Sequence, residues 1–150
     1  MTILPYNPGV LPTVSAPSKG EWIVIKVEGL PPYKEIRRSI RNTKHPRSDS
    51  FVALRTAATR AMAGRALYFD AIGLDLTIYA PKLHDGFRIS DYMSGIEDTV
   101  DGSCGFTFTY LPIVYQDDSQ VVKSSSRFVR AEERRYHLRV DFLGYDDFVA

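Results

Sequence analysis

Between Glu21 and Val27 the chain reads Glu-Trp-Ile-Val-Ile-Lys-Val, a β-branched and aromatic run that predicts a first strand. Gly29-Leu30-Pro31-Pro32 closes it, because proline cannot donate to a ladder. The period then changes. Phe51, Leu54, Ala58 and Ala61/Met62 recur at helical spacing as one apolar stripe, with Ser48-Asp49-Ser50 as N-caps and Gly64 as a stop. Alternation returns over Ala71–Ala80, where Ile72, Leu74, Leu76 and Ile78 interleave with Gly73, Asp75 and Thr77, predicting a second strand. Ser90 is the expected cap of a second helix over about Asp91–Asp101, with Met93, Ile96 and Val100 on its apolar side and Gly102 as its end. A short strand is expected at Ile113-Val114-Tyr115, closed by Asp117-Asp118-Ser119. Two more follow at Val121–Val129 and Tyr136–Leu143, joined by the charged Arg130–Arg135 turn.

The order β-α-β-α-β-β-β predicts an α+β fold, one domain with a mixed sheet and two main helices. The prolines at 5, 8, 12 and 17 deny residues 1–20 both helix and ladder, so these are expected to form an extended or flexible arm ahead of a domain over 21–150. A chain of 150 residues is long enough to bury a core without metal or disulfide support. One cysteine, Cys104, excludes an internal disulfide, and His45, His84 and His137 lack the spacing of a zinc hydrolase. No apolar run approaches the ~18 residues of a membrane span, and no basic start precedes an apolar stretch, so the cytosol is the expected compartment and no membrane partner is expected.

Net charge is +1, which by itself suggests no polyanionic partner. Its distribution along the chain reverses that. Residues 34–65 carry nine Lys/Arg against Glu35 and Asp49, a net +7. Residues 85–118 are at −6, and residues 123–139 return to +4. Two basic blocks around an acidic centre favour a surface that meets phosphates, because local field outweighs the total. A solvated polar face is the bland alternative.

Within the acidic centre, Asp91, Ser94/Gly95, Asp98 and Asp101 share one face of the second helix. Like charges on one face repel, and a divalent cation would relieve the cost. Hard oxygen ligands suit Mg²⁺ or Mn²⁺. Asp117-Asp118-Ser119 fits ordinary turn chemistry as well as a ligand role, and both readings stand.

These residues together resemble the RusA-type Holliday-junction resolvases. That family has a Pro-Pro turn after the first strand, a basic segment, a further strand, an aspartate-started helix and a strand ending in Asp-Asp-x-Gln-Val-Val. Here stand Leu30-Pro31-Pro32, then Ser90-Asp91-Tyr92-Met93 with Asp98 downstream, then Asp117-Asp118-Ser119-Gln120-Val121-Val122, and the element order agrees over about residues 21–143. The resemblance implies a homodimeric Mg²⁺-dependent (or Mn²⁺-dependent) endonuclease that hydrolyses phosphodiester bonds in branched DNA, a function in DNA recombination and repair. By the same likeness Asp91 and Asp118 would be catalytic, and Asp91, Asp98, Asp117 and Asp118 would hold the metal. Ile89 stands where the family has its first helix aspartate, Gly95 where it has a lysine, and Tyr33-Lys34-Glu35 where it has an asparagine-containing stretch. Asp85, Asp98 or Asp101 could supply the missing carboxylate.

Arg37, Arg38, Arg41, Lys44, Arg47, Arg55, Lys123 and Arg127 are the candidate phosphate contacts on branched or duplex DNA. A weak or inactive relative that binds DNA without cutting it is the main alternative. A protein-interaction domain using the Pro-rich arm and Phe106, Phe108 and Tyr110 is a further one.

Overall fold

In the computed structural model, four strands form one mixed sheet in the order β1-β4-β2-β3. The description covers residues 15–32, 48–83, 88–100 and 113–149, without the side chains of Ser48, Asp98 and Thr99. The elements are β1 (Trp22–Glu28), α1 (Ser48–Met62), β2 (Ile72–Ala80), α2 (Ile89–Val100), β3 (Val121–Arg130) and β4 (Arg135–Phe142). Short 3₁₀ turns stand at Asp118–Gln120 and Tyr145–Phe148. The α+β class and single mixed sheet with two helices are as the sequence predicts.

β1 and β2 each pair antiparallel with β4, while β3 runs parallel to β2. A parallel neighbour needs a long crossover, and α2 with the segment after it provides that connection. β1 alternates strictly between exposed and buried positions, so Ile23, Ile25 and Val27 face the core. Ile72, Leu74, Leu76 and Ile78 of β2 and Tyr136, Leu138, Val140 and Phe142 of β4 join them. From the helices come Leu54, Ala58 and Met62, then Tyr92, Met93, Ile96 and Val100. Both helices therefore cover the same face of the sheet. α1 stops at two residues of positive φ, Ala63 at 52° and Gly64 at 80°; glycine takes this conformation without strain.

Two local expectations need correcting. Ile113–Tyr115 is not a ladder strand; it makes one isolated parallel bridge, Tyr68 to Tyr115. All three residues are buried, so burial rather than pairing explains their apolar character. α2 begins at Ile89, so Ser90 lies inside its first turn, and the N-terminal N–H of Arg88 is satisfied by the Asp91 carboxylate at 2.8 Å. The arm is fastened by residue 20: Pro17 is buried, the Gly20 N–H donates to the Phe142 carbonyl at 2.8 Å, and Lys19 pairs with Asp147 at 2.9 Å. Among the described residues, no helix is long and apolar enough to cross a membrane.

Candidate metal and nucleic-acid site

The Asp117-Asp118-Ser119-Gln120 turn is built around its glutamine. Gln120 is 5% exposed, and its Oε1 accepts from the backbone N–H groups of Gln116 at 2.8 Å and Asp117 at 3.0 Å. Its Nε2 donates to the carbonyls of Tyr68 at 2.7 Å and Asp70 at 3.0 Å. One side chain thus ties the approach to β3 onto the approach to β2. A buried primary amide with all four of these partners in reach is fully used. The amide lies where parallel pairing has not yet begun, so it substitutes for ladder bonds.

Asp117 caps the 3₁₀ turn that follows: its carboxylate accepts from the Ser119 N–H at 3.3 Å and from the Ser119 hydroxyl. The Ser119 hydroxyl, then its backbone N–H, hold this carboxyl below the ordinary aspartate value. Asp118 is exposed and is the first residue of the turn. No ion pair or side-chain hydrogen bond engages its carboxylate among the described residues. The paired aspartates have therefore split roles, one capping and one facing solvent.

Asp91 stands elsewhere on the connection. It is in the first turn of α2, with its carboxylate on the Arg88 N–H. The segment leading to Asp117 meets the other end of that helix, where the Ile113 N–H donates to the Val100 carbonyl at 3.0 Å. Nine residues of helix, about 13 Å, separate those two ends. Ile89, at the family's first aspartate position, is a partly buried hydrophobic packed on the core. Gly95, at the lysine position, is buried. The backbone of Asp98 is in α2, but its side chain lies outside the description, as do Asp85 and Asp101. Among the described residues, no three His, Cys, Asp or Glu side chains are grouped to hold a metal ion.

Of the expected phosphate contacts, Arg37, Arg38, Arg41, Lys44 and Arg47 lie outside the described residues. Arg55 is 7% exposed, with its guanidinium over the Phe51 ring at 5.6 Å, so it does not stand on the surface. Lys123 and Arg127 are exposed on β3. Arg127 Nε donates to the Thr77 hydroxyl at 3.0 Å, and its Nη2 lies 3.9 Å from Asp75.

The chain matches no family model and no curated protein. The residues themselves therefore carry the functional argument. Sequence reasoning missed Gln120 as the organiser of the turn; the run Asp-Asp-Ser-Gln signalled a capping box, with Asp117 at the cap and Gln120 three residues on. It also missed Phe69, 64% exposed between the two residues whose carbonyls Gln120 holds.

Proposed function

We propose that this chain is a Mg²⁺- or Mn²⁺-dependent endonuclease of branched DNA, working as a cytosolic homodimer. The observation that carries the reading is the Asp118 carboxylate, exposed and without a side-chain partner among the described residues, on a turn that Gln120 and Asp117 hold in place. Its chemistry fits the ion: hard oxygen donors suit Mg²⁺, which takes only one or two protein carboxylates beside waters and substrate phosphate. Asp118 would be one ligand, with Asp117 beside it and Asp91 or Asp98 as the further candidates. Mg²⁺ held there would supply charge stabilisation at a scissile phosphate. Lys123, on β3 five residues after Asp118, and Arg127 beyond it would neutralise neighbouring phosphates and set the position of the strand without reading bases. A two-fold dimer would present two such turns to a four-way junction.

The test is cleavage of labelled four-way junctions with Mg²⁺ or Mn²⁺ by the wild type and Asp118→Asn. Asp118 is exposed and its carboxylate makes no hydrogen bond or ion pair among the described residues, so the variant is expected to fold normally and lose paired nicking. Absence of nicking by the wild type, or equal nicking by both, overturns the catalytic reading.

Ile89 packed on the core and Asp91 used as a helix cap favour a second reading, in which the protein binds branched DNA without cutting it. That reading predicts salt-dependent junction binding that neither Mg²⁺ nor Asp118→Asn alters.

A further inference from the structure

The helices cover one face of the sheet; the other face holds Lys123 and Arg127, which the cleavage proposal uses, beside rings and a lysine that it does not. The register places Lys26 of β1 beside His137 of β4, His137 beside Thr77 of β2, and Thr77 beside Arg127 of β3. Lys26, His137 and Arg127 carry the donors of this row, Thr77 is buried and accepts from Arg127, and the row contains no carboxylate. On either side of it a guanidinium lies over a ring: Arg139 is 4.7 Å from the centroid of Trp22, and Arg135 is 4.3 Å from that of Tyr79. Trp22 is 55% exposed, far more than a tryptophan kept for packing.

Two of the three acids that the strands place on this face are engaged, and the third, Glu28, stands at the end of β1 opposite Arg135. Asp141 accepts from Arg139 Nε at 3.0 Å, and Asp75 accepts from the Ser125 hydroxyl at 2.9 Å with Arg127 nearby. Lys26 and Lys123 have no ion-pair partner among the described residues. Between these groups, a depression of about 310 Å³ opens over Gly73. A Cβ at Gly73 would stand 3.0 Å from Lys123 Cε, so the missing side chain is what lets Lys123 lie across the strand.

We infer that this open face is a binding platform for single-stranded nucleic acid. Stacking planes interleaved with cations, of which Lys26 and Lys123 have no ion-pair partner among the described residues, suit unstacked bases and a phosphate backbone, and every base has a face to stack. The exposed apolar residues of the face, Trp22 and Val24 on β1 and Val129 on β3, stand on opposite edge strands with charged rows between. They form no continuous apolar patch of the kind a protein partner would cover. The inference does not rest on cleavage, because none of its residues is an aspartate of the proposed metal site.

Trp22 is the chain's single tryptophan, so its fluorescence reports on this face directly. The experiment titrates the full chain, at low and moderate salt, with oligo-dT and oligo-U of about 12 nucleotides, a span suited to a small platform. Heparin, a polyanion without bases, is the control. Both oligonucleotides, or one of them if the sugar is read, should quench Trp22, while heparin should not. Trp22→Ala, read by anisotropy of labelled oligonucleotide, should weaken binding about tenfold. Lys26→Ala and Arg127→Ala should each flatten the salt dependence by about 0.7 in log–log slope. Asp118→Asn should bind as the wild type does, which separates this inference from the cleavage reading. Quenching by heparin equal to that by oligonucleotide, affinity unchanged in Trp22→Ala, or a dimer that shields Trp22 and ignores oligonucleotide would each overturn it.

Discussion

Along β4, Tyr136, Leu138, Val140 and Phe142 are completely buried, while Arg135, His137, Arg139 and Asp141 alternate with them on the other side. The strand is the same and the backbone hydrogen bonds are the same. On the helix-covered side these residues belong to the apolar core, so volume constrains their identity. On the open side the neighbours are rings, cations and carboxylates that offset one another, and the fold would survive their replacement. The contrast separates residues that make the structure from residues free to meet a ligand.

Neighbouring residues on β4 give the largest test of that difference. Leu138→Ala removes a fully buried side chain between β1 and β2 and is expected to cost about 3 kcal/mol through lost burial and the cavity left behind. Arg139→Ala, one residue on, is expected to cost no more than about 1 kcal/mol, since its contacts are exposed. Urea unfolding of both variants makes the comparison; equal losses would mean that the open face also bears the fold.

Gln120→Ala comes next, and it shows that a polar residue can belong to the structural side of this division. The substitution strands two N–H groups and two carbonyls that the amide now serves. A loss of about 2–3 kcal/mol is expected in thermal or urea unfolding, as for other buried groups deprived of partners. Gln120→Glu keeps the acceptor but turns a carboxylate toward two carbonyls, so it should not rescue stability. A near-neutral Gln120→Ala would show that water replaces the amide.

The periodicity that made the fold legible is the signature of the buried side. Ile23-Ile25-Val27 and Ile72-Leu74-Leu76-Ile78 point one way because burial demands it, and a period of two is visible without coordinates. Ile113–Tyr115 misled because an apolar run records burial and not pairing. Ser90 misled because a serine before an apolar stripe and an aspartate at the third helical position both satisfy N-terminal N–H groups, and here Asp91 does so. The Asp117–Asp118 pair was visible as chemistry, but the division of labour within it depends on Ser119 and Gln120 closing a turn. The open face was least legible: Trp22, Tyr79, His137 and Arg139 are scattered in sequence, and only the order β1-β4-β2-β3 sets them side by side.

Tyr136 marks a defect on the covered side. Its hydroxyl is buried with no hydrogen-bond partner among the described residues, and burial pushes its pKa far up. A polar group desolvated without return is destabilising, so Tyr136→Phe is expected to be stabilising by about 1 kcal/mol. A loss of similar size instead, in the same unfolding assay, would reveal a partner for the hydroxyl.

The smallest effect is electrostatic and belongs to the open face. Partial burial, then the positive charges of Lys26 and Arg135, hold the His137 pKa below its ordinary 6.5. The folded protein therefore prefers the neutral ring, and the unfolded chain binds the extra proton first as pH falls. Stability should be flat above about pH 7 and decline as pH drops through 6.5 toward the folded value. Asp117 and Asp147, both held below the ordinary 3.8, keep their contribution until the pH falls below that value, so the two windows separate. His137→Gln should remove the upper decline and leave the lower one. A phosphate backbone lying along the Lys26–Arg127 row would offset the cations that depress His137, so NMR titration of its ring with saturating oligonucleotide should move the midpoint upward. A midpoint unmoved by oligonucleotide would place any bound strand away from this row.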